Sequence, residues 1–140
     1  MTGIEILRSQ VIQDSLVDTS RQYLAGTLQL TQALAHIPDA NLEVGLSQYQ
    51  DNTADIPHYH PRTREYQYVV SGRALLRDID SGETHELSAG DFYVIDPGVS
   101  HVQKSAAGTR ILFFKHPAGD DKTLVPIDAE LAAWLEDLDF

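Results

Sequence analysis

The chain has 140 residues, 42% of them hydrophobic, a length and composition suited to one folded domain spanning residues 1–140. Its 21 acidic against 10 basic residues give a net charge of −11, which repels phosphate backbones and anionic headgroups and argues against nucleic-acid and membrane partners. With no cysteine, disulfides, thiolate nucleophiles and Cys-based zinc sites are excluded.

The first residues, MTGIEILRSQVIQD, carry Glu5 and Arg8 and no apolar run long enough for a signal peptide or a membrane span. A cytoplasmic protein is expected. Residues 15–38 fit helix and strand about equally, and one short helix is expected there. From Asn41 the pattern changes to short strands broken by turn residues. NLEVGLSQYQ, EYQYVVSG, RALLRDID, THEL, DFYVID, HVQKS and TRILFFK are strand candidates, with DSGE (80–83) as a hairpin turn. Strands recurring at this spacing indicate an antiparallel sandwich or barrel, and no strand–helix alternation suggests a doubly wound fold. Near the C-terminus, Leu131, Trp134, Leu135 and Leu138 form one apolar stripe of a helix over 128–138. Asp128 can cap it. Asp137 and Asp139 sit at the unfavourable end of the helix dipole, so the last turn should fray.

Within this all-β middle, HYHPRTREYQYVVSG (58–72) concentrates chemistry. Pro57 and Pro61 disfavour helix for the residues before them, so the segment is extended. In an extended chain His58 and His60 share a face, with Cα atoms roughly 6.6 Å apart. Both imidazoles can then converge on one ion at about 2.0–2.1 Å. Glu65, opening the next strand, can return a carboxylate oxygen to the same point. GDFYVIDPGVSH (90–101) supplies a further imidazole, His101, after a Pro-Gly turn.

The two blocks together resemble the cupin superfamily. Its first motif, HxH followed by four residues, E, six residues and G, is matched by His58, His60, Glu65 and Gly72. Its second is matched by Gly90, Gly98 and His101. Asn52 stands where a glycine usually opens the first motif, and Asp96-Pro97-Gly98 displaces the usual turn proline by one. The resemblance covers about residues 41–116. It implies an antiparallel β-barrel, a double-stranded jelly roll, with the short C-terminal helix outside it. It also implies one divalent transition metal per chain (Fe, Mn, Ni, Zn or Cu) held by three histidines and one glutamate. Imidazole and carboxylate ligands suit any of these metals.

Strand parity puts Gln67 and Val69 on the face of Glu65, and Gln103 and Ser105 on that of His101, while Tyr66 and Tyr68 face away. Gln67 and Gln103 are therefore expected beside the metal. Arg62 and Arg64 flank the motif and could hold an anionic substrate or lie in a solvated loop. Some cupin lyases carry a tyrosine base two residues after the glutamate; Gln67 occupies that place and counts against that chemistry. No catalytic base is identified, and GDD (119–121) reads as a loop. His36, His85 and His116 fall outside the motifs. The reading is a metal-dependent enzyme acting on a small oxygen-rich molecule, with oxygenation first. Sugar isomerisation or epimerisation, elimination by a lyase, and non-catalytic small-molecule binding are the alternatives. Family resemblance also suggests a homodimer.

Overall fold

The computed structural model describes residues 3–140. Two six-stranded sheets face one another without closing into a barrel. The first contains β1 (Arg21–Gly26), β2 (Ile37–Pro38), β3 (Glu43–Gln48), β6 (Arg64–Ser71), β9 (Phe92–Ile95) and β11 (Arg110–His116), in the order β2-β1-β3-β11-β6-β9. The second contains β5 (His58–Tyr59), β7 (Arg73–Asp78), β8 (Thr84–Ser88), β10 (His101–Ser105) and β12 (Thr123–Leu124), in the order β12-β5-β10-β7-β8. The short β4 (Thr53–Ala54) also pairs with β10. Pairing is antiparallel throughout except between β1 and β2. This is the expected jelly roll, and the seven strand candidates correspond to β3, β6, β7, β8, β9, β10 and β11.

Alternation along β6 explains its position. Glu65 and Val69 are buried, whereas Tyr68 and Val70 are exposed, so one face looks between the sheets and the other looks out. The turn into β7 is set by Gly72, whose φ of +82° suits glycine. Thr109 packs against Gly72; its hydroxyl accepts from the Arg73 N–H and lies 2.9 Å from the Arg73 carbonyl.

One expectation about helices needs correction. Residues 15–38 contain no helix beyond the end of α1 (Ser9–Ser15), which lies upstream of most of that segment. The stretch that fitted both patterns holds β1, because β3 offers it a ladder from Arg21 to Ala25 and long-range pairing outweighs a weak local preference. The C-terminal helix, α2, runs Ala129–Glu136, with the Asp128 carboxylate accepting from the Leu131 N–H at 2.8 Å. It stops before Leu138, as the acidic last turn leads one to expect, and Leu138 is exposed while Leu131 is buried.

This C-terminal segment covers the outer face of β10, and all five β10 residues are buried. The Lys104 ammonium lies over the Trp134 ring at 4.0 Å and donates to the Asp137 carbonyl. Asn52, in place of the usual motif glycine, ties the same tail down: its amide donates to the Leu138 carbonyl and accepts from the Ala107 N–H, both at 2.8 Å.

Candidate metal centre

The space between the sheets is polar where the motif residues meet. β5 and the residue after it bring His58 and His60 from the second sheet, β10 brings His101 opposite His58, and β6 brings Glu65 from the first sheet. All four are at least 93% buried. Ring centroids are 4.5 Å apart for His58 and His101 and 5.1 Å for His58 and His60. His101 Nε2 lies 4.0 Å from Glu65 Oε2.

Each imidazole is anchored on its Nδ1 side. His58 Nδ1 faces the Ile56 carbonyl at 2.6 Å, His101 Nδ1 faces the Val99 carbonyl at 2.9 Å, and His60 Nδ1 faces Asp121 Oδ1 at 2.8 Å. Oxygen acceptors demand a donor, so the neutral ring in each case carries its proton on Nδ1 and keeps the Nε2 lone pair free. Among the described residues His60 Nε2 is buried without a hydrogen-bond partner. Such an orphaned acceptor is unusual inside a protein, and a cation satisfies it. Burial pushes the His58 imidazole down to about 4, so it is neutral at pH 7. Burial acts to raise the Glu65 carboxyl, but Lys115, His101 and His60 outweigh it and hold the group below its ordinary value. Among the described residues no three such side chains are yet arranged to hold an ion, so the four donors are gathered but not closed on one point.

The residues flanking the motif divide. Gln103 is buried and Gln67 half-buried. Gln67 donates to Glu65 Oε2 at 3.0 Å, and the Tyr93 hydroxyl lies 2.5 Å from Gln67 Oε1 and 2.9 Å from the Gln103 side-chain oxygen. A hydroxyl has one proton to give. Gln67, already donating to Glu65, takes it, and Gln103 meets Tyr93 by turning its amide nitrogen toward the phenol. The arginines do not join this group. Arg64 lies on the outer side, bound to Asp96 at 2.8 Å and to the Tyr66 hydroxyl, and exposed Arg62 contributes its backbone N–H to Asp121.

Sequence reasoning missed three features. Asp121, from the segment read as a plain loop, accepts from His60 and from the backbone N–H groups of Arg62 and Thr63. Burial would raise it, but these donors outweigh that and hold it near 2, ionised beneath the imidazole. Asp55 accepts from the Gln103 N–H at 2.9 Å, and burial pushes its carboxyl up to about 6. It lines, with Glu65, Gln67 and Gln103, a cavity of about 20 Å³, room for one water. Tyr93 is the third; its strand was recognised, but only the pairing of Gln67 with Tyr93 shows where the phenol goes. Asp121 alone had a local signal, an acidic pair in a short loop, and that signal was unspecific.

A two-sheet jelly roll with three imidazoles and a carboxylate gathered between the sheets defines a class of small β proteins. A cupin domain model matches residues 45–113, and the chain has the double-stranded β-helix fold of cupin proteins. No curated protein matches the sequence. Among solved structures it is similar to a conserved double-stranded β-helix protein from Klebsiella pneumoniae, with 21% identity, TM-score 0.55, and 63% of this chain and 77% of that one covered. An RmlC-like cupin from Shewanella frigidimarina shares 25% identity at TM-score 0.52, with 59% and 72% covered. The polyketide cyclase RemF from Streptomyces resistomycificus shares 19% at TM-score 0.56, with 69% and 68% covered, a likeness of fold. No helix among the described residues is long and apolar enough to cross a membrane.

Proposed function

We propose that His58, His60, His101 and Glu65 hold one divalent transition metal, and that the protein is an enzyme acting there on a small oxygen-rich molecule. The observation that carries this reading is the common Nδ1 anchoring of all three imidazoles, with His60 Nε2 buried and unpartnered among the described residues. Bound there, the metal would supply Lewis-acid or redox chemistry; imidazole and carboxylate donors suit Fe, Mn, Ni, Zn or Cu. The chain's own residues do the rest. Asp121 holds the His60 ring by its Nδ1 proton, and Gln67 steadies one oxygen of Glu65. Asp55, with a carboxyl near 6, is suited to taking a proton close to neutrality.

Asp55 bears on the reaction class. The sequence favours oxygenation for want of a general base, and a base in the same interior favours elimination or isomerisation by proton transfer. Oxygenation is the second reading, favoured by the three-His, one-Glu donor set itself. Substrate-dependent oxygen uptake supports the second; exchange of a substrate C–H proton with solvent deuterium, lost in Asp55→Asn, supports the first.

The test of the metal is direct. Protein purified without an affinity tag should contain about one metal per chain by elemental analysis, and His60→Ala should lose it. Equal metal in both proteins refutes the site. A homodimer is proposed on the outer face of the first sheet, where Tyr68, Val70 and Phe92 are exposed; a monomer mass by light scattering at micromolar concentration overturns it.

A further inference from the structure

The chain has 10 basic residues against 21 acidic ones, yet three cations meet at one cavity. Arg21, Lys115 and Lys122 line a hollow of about 490 Å³, and His60 forms part of its wall. That volume suits a small metabolite. The three side chains come from β1, β11 and the segment before β12, so only the assembled fold unites them.

Of the three, only Lys115 comes within ion-pair distance of a carboxylate among the described residues. The Arg21 guanidinium donates to the Ser47 hydroxyl at 3.0 Å and lies over the Phe113 ring at 4.9 Å. Both contacts are neutral; the Tyr49 hydroxyl adds a hydrogen bond, and the Glu65 carboxylate attracts the guanidinium without forming an ion pair among the described residues. Lys122 makes neither a hydrogen bond nor an ion pair among the described residues. Lys115 lies 3.8 Å from Glu65 Oε1 and over the Phe113 ring at 5.3 Å. Glu43 and Asp120 also line the hollow, but neither comes within ion-pair distance of the three cations among the described residues. Burial lowers the Lys122 ammonium first, its like-charged neighbours Arg21 and Lys115 add to this, and the more weakly acting Asp55 and Glu65 oppose it. Gathering cations in a partly dry hollow costs energy that an anion would relieve.

We propose that this hollow binds a small organic anion, a carboxylate or a phosphate ester, through Arg21, Lys115 and Lys122, with its far end at the His60 wall. This deepens the functional reading by naming the substrate class. It rests on that reading for the chemistry after binding, but not for binding itself. The anion would be held by a rigid planar fork at Arg21 and by a flexible point charge at Lys122.

Calorimetric titration with malonate, inorganic phosphate and the neutral malonamide tests it. The protein is used as purified and again after chelation, with circular dichroism confirming the fold. Malonate or phosphate should bind both preparations while malonamide does not, and the affinity should fall as salt rises. Tighter malonate marks a carboxylate ligand and tighter phosphate a phosphate ester. Lys122→Gln should weaken anion binding about tenfold, with melting temperature and metal content unchanged, as expected when one charged contact is lost. Malonamide binding as well as malonate, no anion binding to the wild type, or an unaltered Lys122→Gln would each overturn the proposal. Anion binding by a protein that never holds metal would sink the metal reading and leave this one standing.

Discussion

Asp121→Asn tests the support beneath the proposed metal site, because the replacement changes little except which atoms can accept. In the wild type, Oδ1 accepts from His60 Nδ1 at 2.8 Å, while Oδ2 accepts from the N–H groups of Arg62 and Thr63 at 2.9 and 3.0 Å. Asparagine has one oxygen and one NH₂. With its oxygen toward His60, the NH₂ opposes two backbone donors. With its oxygen toward the backbone, the NH₂ faces His60 Nδ1, which must then accept, and the ring proton moves to Nε2. That proton occupies the lone pair the metal needs. Losing such an outer partner weakens metal binding by about 10- to 100-fold, or about 1.4–2.7 kcal/mol. The unmatched donors cost about 1–3 kcal/mol of stability in addition. Competition titration against a chelator of known affinity measures the first, and nitrogen-15 NMR of the metal-free ring reports the tautomer independently. A folded variant with wild-type metal affinity and its proton still on Nδ1 would refute the reasoning.

Asp55 gives a pH signature. Its carboxyl is raised to about 6 in the fold from 3.8, so its contribution to stability is fully present below 3.8 and is lost as pH rises through 6, by no more than about 3 kcal/mol. Asp55→Asn keeps an oxygen for the Gln103 N–H, so the variant should gain on the wild type between pH 4 and 7; a constant gap in melting temperature contradicts this. At Gly72, an added Cβ would run into Thr109 Oγ1 and lie 2.6 Å from its Cα, at a φ of +82°. Gly72→Ala should therefore cost about 2–4 kcal/mol in denaturant melts, and a loss below about 0.5 kcal/mol would show that the turn can relax. Leu131 is the buried anchor of α2. Leu131→Ala should cost about 2–3 kcal/mol and speed hydrogen exchange along β10, whereas unchanged exchange would mean that the tail stays docked without it.

Short-range rules in the chain set the strands of its middle and the side on which their chemistry lies. Prolines at 57 and 61, alternation through EYQYVVSG and the turn glycines act within a few residues, so His58 is put on one face with His60, Glu65 with Gln67, and His101 with Gln103; that these faces look inward is what the cupin resemblance implies. Local rules could not place what arrives from a distance. Residues 21–26 became a strand because β3 was there to pair with them. Asp121 meets His60 across 61 positions of chain, and Tyr93 reaches Gln67 across 26. Asp55 is perturbed because the facing sheets remove water from it, and Arg21, Lys115 and Lys122 share a cavity that exists only between elements far apart in the chain. Alternation tells which way a side chain faces. Sheet pairing alone tells what it faces, because hydrogen-bonded register, and not proximity in sequence, sets the distances at which charges and lone pairs act.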